Sequence, residues 1–94
     1  MNWIEIIELR VAGRLPDRLD AQLREFHRQV EQSQDKLAVK FYTRPGIDTD
    51  VSIHLFHASS EVARRGSPLG QRLVSALKPF GLVNHTLWID FKGS

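Results

Sequence analysis

Among the side chains able to do chemistry, the histidines stand out. Two of the four, His54 and His57, lie three apart in "VSIHLFHASS", residues 51 to 60. On a helix that spacing stacks two imidazoles on one face, where they can share a metal ion or a proton. On a strand, side chains alternate between faces, so residues three apart diverge. The stretch alternates Val51, Ile53 and Leu55 against Ser52, His54 and Phe56, which is a strand pattern. The two histidines are therefore expected on opposite faces, with no metal between them. His54 falls in mid-strand. His57 falls at the strand end and reads as a structural or solvated residue.

Other chemistries are closed off by what the chain lacks. Without cysteine there are no disulfides, thiolate nucleophiles, zinc–thiolate sites or iron–sulfur clusters. No phosphate loop, dinucleotide fingerprint, zinc-protease helix, calcium loop or nucleophile elbow is found. The formal charge of +2 is too small to name a nucleic-acid partner. No apolar run reaches membrane-spanning length, and the N-terminal "MNWIEIIELR" lacks the basic-then-apolar layout of a secretion signal. The expectation is a cytoplasmic protein with no metal, no cofactor, no nucleic-acid partner and no membrane partner.

Six elements must position whatever site exists. "WIEIIELRV", residues 3 to 11, is rich in β-branched and apolar residues and reads as a strand closed by Gly13. Leu19, Leu23, Phe26 and Val30 recur at helical spacing, Pro16 suits a first helical turn, and Asp20 and Arg24 suit a solvated face, so a helix is expected over about 16 to 33. "KLAVKFYTR", residues 36 to 44, alternates as a second strand. "PGIDTD" follows as turn chemistry, and "DVSIHLFHA" forms a third strand. Ser67 and Pro68 form a helix start, with Leu69, Leu73, Ala76, Leu77 and Phe80 as the apolar stripe. Pro79 lies in the last turn of that helix, and Gly81 suits a left-handed stop. "LVNHTLWIDF", residues 82 to 91, is the fourth strand.

This βαββαβ order spans 1–94 as a single α+β domain. With right-handed crossovers it gives a four-stranded antiparallel sheet, strands 1 and 3 central, with two helices on one face: the ferredoxin-like arrangement. RNA-recognition domains share the topology, but the third strand lacks their aromatic signature.

Parity assigns the two faces. Ile7, Leu9, Val11, Val39, Phe41, Val51, Ile53, Leu55, Leu87, Ile89 and Phe91 are expected under the helices. The opposite face carries Ile4, Ile6, Glu8, Arg10, Lys40, Tyr42, Ser52, His54, Phe56, Thr86, Trp88 and Asp90. That face is too apolar for solvent, since single aromatic rings offer about 150 to 250 Å² each. The simplest cover is a second copy of the same sheet.

The element order, the apolar open face and the small size resemble the dimeric α+β barrel superfamily, in particular its antibiotic-biosynthesis-monooxygenase-like domains. The resemblance rests on "WIEIIELRV", "LAVKFYTR", "VSIHLFHASS" and "SPLGQRLVSALKPFGLVNHTLWID". It covers nearly the whole chain as a pattern, without a diagnostic motif. It implies two sheets paired into a barrel, a ligand cavity often set between sheet and helices, and activities such as cofactor-independent oxygenation of aromatics or haem degradation. Haem-degrading relatives use Asn, Trp and His. Here Asn84, Trp88 and His54 do not match position by position, and Glu8 stands on strand 1 where an Asn is wanted.

The site expected from these readings is a small, mostly apolar pocket in a homodimer. His54 is its general base, oriented by Glu8. Tyr42, Trp88 and Phe56 provide the walls, and His85 reaches toward a pocket between sheet and helices. The expected activity is that of a cofactor-independent monooxygenase-like enzyme on a small aromatic or apolar metabolite. Two alternatives stand beside it: a non-catalytic small-molecule-binding or assembly module, and a dimer interface with no pocket at all. Lys40, Arg10 and Asp90 read as an ion-pair network, and His27 as a surface partner of Glu31.

Overall fold

The computed structural model describes residues 2–11, 17–31, 38–58 and 61–91. In chain order the elements are β1 (Asn2–Val11), α1 (Asp17–Glu31), β2 (Ala38–Arg44), β3 (Ile47–Ala58), α2 (Pro68–Leu77), a 3-10 turn (Lys78–Phe80) and β4 (Gly81–Ile89). The expectations for Gly13, Pro16 and the outermost residues of the first helix and second strand lie outside the described residues.

The strands form one antiparallel sheet in the order β2-β3-β1-β4, an α+β arrangement compatible with a ferredoxin-like fold. The pleat of β1 decides which residues are buried. Trp3, Glu5, Ile7, Leu9 and Val11 face the helices and are buried, whereas the residues between them are half-buried or exposed. Ile7, Leu9, Val11, Val51, Ile53 and Leu55 of the sheet pack with Leu19 of α1 and with Leu73 and Leu77 of α2 in one core. α1 lies over β2, and α2 lies over β1 and β4. No helix among the described residues is long and apolar enough to cross a membrane.

Each helix carries its expected signals. In α1, Leu19 and Val30 are buried and Leu23 and Phe26 pack against the core. Asp17 and Asp20 sit in its first turn and Arg28 in its last, as the helix dipole favours. Ser67 caps α2, its Oγ accepting from the Gly70 N–H at 3.0 Å, and Pro68 follows at the first position.

Three local expectations need correction. The hairpin turn is only Pro45 and Gly46, with Gly46 left-handed at φ 74°, and β3 begins at Ile47 rather than Asp50. β-branched Ile47 and Thr49 favour pairing, and a register irregularity at Thr43–Arg44 absorbs the extra length. Gly81 is not a left-handed stop: its φ of 165° is extended. Glycine is required there by close approach, because a Cβ would lie 2.2 Å from the Arg10 carbonyl oxygen. Finally, Ile89 and Phe91 are exposed, not covered. α2 starts level with Glu5 and its ten residues reach about 15 Å, whereas the nine of β4 run about 30 Å and pass beyond it.

Candidate functional site

On the open face, strands β1 and β3 are neighbours, but their register sets Ile6 opposite His54 and Glu8 opposite Ser52. Glu8 and His54 are therefore diagonal neighbours, but the His54 ring turns along its own strand to Ser52, with Nε2 2.9 Å from Oγ, and no hydrogen bond or ion pair joins it to Glu8. Its ring leans on Tyr42 at 4.6 Å and Phe56 at 6.3 Å. Lys40 stands over the Phe56 ring, and Trp88 donates its Nε1–H to Thr86 Oγ1 at 3.0 Å. Arg10 pairs with Asp50, which Arg44 also contacts. His27 pairs with Glu31 as its spacing suggests.

A groove of about 330 Å³ opens at one end of this face. Glu8, Arg10, Tyr42, Arg44, Asp50, Ser52 and Asn84 contribute to its lining. The expected pocket is thus split. Glu8 and Tyr42 line the groove, whereas His54, Phe56 and Trp88 lie on the face beside it and His85 lies on the other side of the sheet. Leu9, Val51, Leu82 and Val83 line it as well, so most of its wall is apolar, with charges set among it because the even-numbered residues at the ends of β1 and β3 are Glu8, Arg10, Asp50 and Ser52.

The helix-covered face holds a second group. Glu5 is completely buried. It lies in mid-strand on the central β1, between Leu55 of β3 and Leu87 of β4. His57 and His85 share its face, each two residues away along a flanking strand on opposite diagonals, and both turn toward it. His57 Nε2 lies 2.7 Å from Oε1 and His85 Nε2 lies 2.8 Å from Oε2. The Ser67 N–H at the start of α2 donates to Oε1 at 3.0 Å, and the Ser67 hydroxyl is a further donor. Four donors match the four acceptor positions of a carboxylate.

Two glycines leave room for that carboxylate. A Cβ at Gly70 would lie 2.0 Å from Glu5 Oε2, and one at Gly66 would lie 2.3 Å from His85 Cε1. Gly66 is also left-handed, at φ 92°. "GSPLG", residues 66 to 70, is therefore a cradle: turn, cap, helix start and carboxylate space in five residues. Burial pushes the Glu5 carboxyl upward, but bonds from the Ser67 hydroxyl and amide, His85 and His57 outweigh it and hold the group below the ordinary glutamate range. The positive end of the α2 dipole acts in the same direction.

An ionised Glu5 only accepts, so both histidines donate from Nε2 and in their neutral form carry the lone pair on Nδ1. Trp3 stacks on His57, with ring centroids 4.0 Å apart and 15° between planes, and fixes its orientation. The Trp3 Nε1 is the one buried side-chain nitrogen or oxygen without a partner among the described residues. The histidine side chains retain 11% and 18% exposure and Ser67 is half-buried, so solvent reaches the edge of the cluster but not Glu5. No group of three or more His, Asp or Glu among the described residues could hold a metal ion.

Sequence reading passed over Glu5 and treated His57 as structural. The available signal was shared parity: an acid within "WIEII" and two histidines, all on the otherwise apolar face. No protein-family model matches the chain, and neither a curated protein nor a solved structure matches it.

Proposed function

We propose that the chain works as a homodimer joined through its open sheet face, and that the groove at the end of that face binds a small molecule. The observation that carries this reading is the face itself. Trp88 and Tyr42 are exposed on it, and Ile4, Ile6 and Phe56 are only half-buried. Four strands about 4.8 Å apart and nine residues long at about 3.3 Å per residue present roughly 600 Å². Two copies would together bury about 1,200 Å², the lower end of a stable interface. The groove has the volume of a small-ligand site, and its mixed charges suit a polar head on a ligand whose body lies against Tyr42. The resemblance to dimeric α+β barrels supports the same pairing.

Light scattering over a dilution series tests it. The expected result is twice the 10.8 kDa chain mass, held into the low micromolar range. A single-chain mass at every concentration overturns it.

A second reading, an enzyme of the monooxygenase-like kind acting on a small aromatic or apolar metabolite, needs a base. On the open face His54 meets a hydroxyl and not a carboxylate. The carboxylate–imidazole geometry that a base requires occurs instead at Glu5, and that observation keeps catalysis in consideration.

A further inference from the structure

We infer that Glu5, His57 and His85 form a proton-transfer site, in which the two imidazoles take a proton at Nδ1 from a small, uncharged weak acid. The inference is independent of the dimer and deepens the catalytic reading by naming the base and the substrate class.

Geometry gives the base. Glu5 receives Nε2–H from both histidines, at 2.7 and 2.8 Å, so each neutral ring presents Nδ1 as its acceptor. Neither Nδ1 is buried without a partner, and among the described residues neither has a protein partner. Both rings are held in place, His57 between Glu5 and the stacked Trp3, His85 between Glu5 and the glycine turn at Gly66. A base fixed in tautomer and orientation needs no rearrangement when the proton moves.

Charge selects the substrate. With neutral imidazoles the cluster carries one negative charge, shared among Ser67 and the two histidines and sealed from water on the Glu5 side. An anion is repelled there before reaction; a neutral acid is not. Once the proton reaches Nδ1, the imidazolium and Glu5 cancel, and the new anion faces a cation instead of a net negative group. Glu5 thus lies against the charge that develops as the proton moves and not against a charge of the neutral substrate, which is the differential interaction that catalysis needs. The limited exposure of both rings restricts the substrate to a small group, a C–H or O–H acid presented at its edge.

Elimination of 5-nitrobenzisoxazole is a suitable probe. A base removes the ring C–H proton, the N–O bond breaks, its electron pair stays on the phenolate oxygen, and a nitrile forms with no other reactant. The full chain is expected to exceed equimolar free imidazole by about a hundredfold, the lower range for a positioned base. His57→Phe and His85→Phe are each expected to lose activity, and the double variant to fall to the level of free imidazole. His27→Ala, on the exposed face of α1, is expected to keep it. A wild-type rate equal to that of free imidazole, or a rate kept by the double variant, overturns the proposal. Nitrogen-15 NMR of the wild-type imidazoles adds a readout that variant folding cannot disturb. Both neutral rings should show a protonated Nε2 and an acceptor-type Nδ1; the opposite tautomer in both overturns the assignment. Failure here leaves the solution mass, and so the dimer reading, untouched.

Discussion

Glu5 and His85 meet across the β1–β4 pair at 2.8 Å, although 80 residues separate them in the chain. Glu5 also holds His57 and the amide of Ser67, the cap of α2. It is buried, but its bonds stay intact only while it is ionised and all its donors are in place. This is the opposite of an ordinary core position, where any apolar side chain of the right volume would serve.

Replacing Glu5 by Gln should therefore cost about 3 kcal/mol, because an amide cannot accept at both ends and leaves a buried donor opposed. The pH dependence has a defined sign. Glu5 is depressed in the folded state, so the unfolded chain binds more protons as pH falls through the ordinary glutamate value of about 4.3. Its contribution is complete above that value and is lost as pH falls toward the folded pKa. Urea unfolding of wild type and Glu5→Gln from pH 7 down to pH 3 should show the gap closing in the acid range. A gap that widens there would contradict the assignment.

Gly70→Ala provides a test in which two effects oppose. Helix propensity favours Ala by about 1 kcal/mol. The new Cβ would lie 2.0 Å from Glu5 Oε2, and moving that oxygen breaks the bond to His85. Overpacking costs about 1 to 3 kcal/mol before the lost bond is counted, so the clash should win. A melting temperature above wild type would show that the cradle is not tight.

The Ser67 hydroxyl has two functions at once, accepting from the Gly70 N–H as the cap of α2 and donating to Glu5, while the Ser67 amide bond to Glu5 survives any side-chain change. Ser67→Ala should cost about 1 to 2 kcal/mol. In a Glu5→Gln background the same change should cost less, with a coupling of about 1 kcal/mol in a double-mutant cycle. Additive effects would mean that the cap and the carboxylate are independent.

On the open face, Ile6→Lys sets a charge at the centre of the proposed interface, opposite His54 and Thr86. The expected outcome is a single-chain mass by light scattering with an unchanged far-UV spectrum. A dimer that survives the change would move the contact to another surface.

Much of the fold was readable in advance because its signals are local. The Leu19–Leu23–Phe26–Val30 stripe, the Ser67–Pro68 cap and the alternation through Ser52, His54 and Phe56 each act within a few residues. The site was not local in that sense. Parity places Glu5, His57 and His85 on one face, but only the register of β1 against β3 and β4 brings them together, and register depends on turns and bulges. Glu8 and His54 stand on the same kind of diagonal as Glu5 and His57 but do not bond, because the His54 ring turns along its own strand to Ser52. Gly66 and Gly81 showed the same limit: the first is explained by a carboxylate and an imidazole elsewhere in the chain, the second by the backbone of β1.

The donors that reach Glu5 lie 52, 62 and 80 residues away along the chain. Such distant partners meet only after long loops have closed, and the entropy of closing them delays the meeting. The carboxylate can leave water only when β1, β3, β4 and the start of α2 have all arrived, so the cluster closes late in folding. Interactions made that late act mainly on how slowly the native chain opens. On that order of events Glu5→Gln is expected to speed unfolding more than it slows folding, because the buried charge acts after the rest of the sheet and α2 have met.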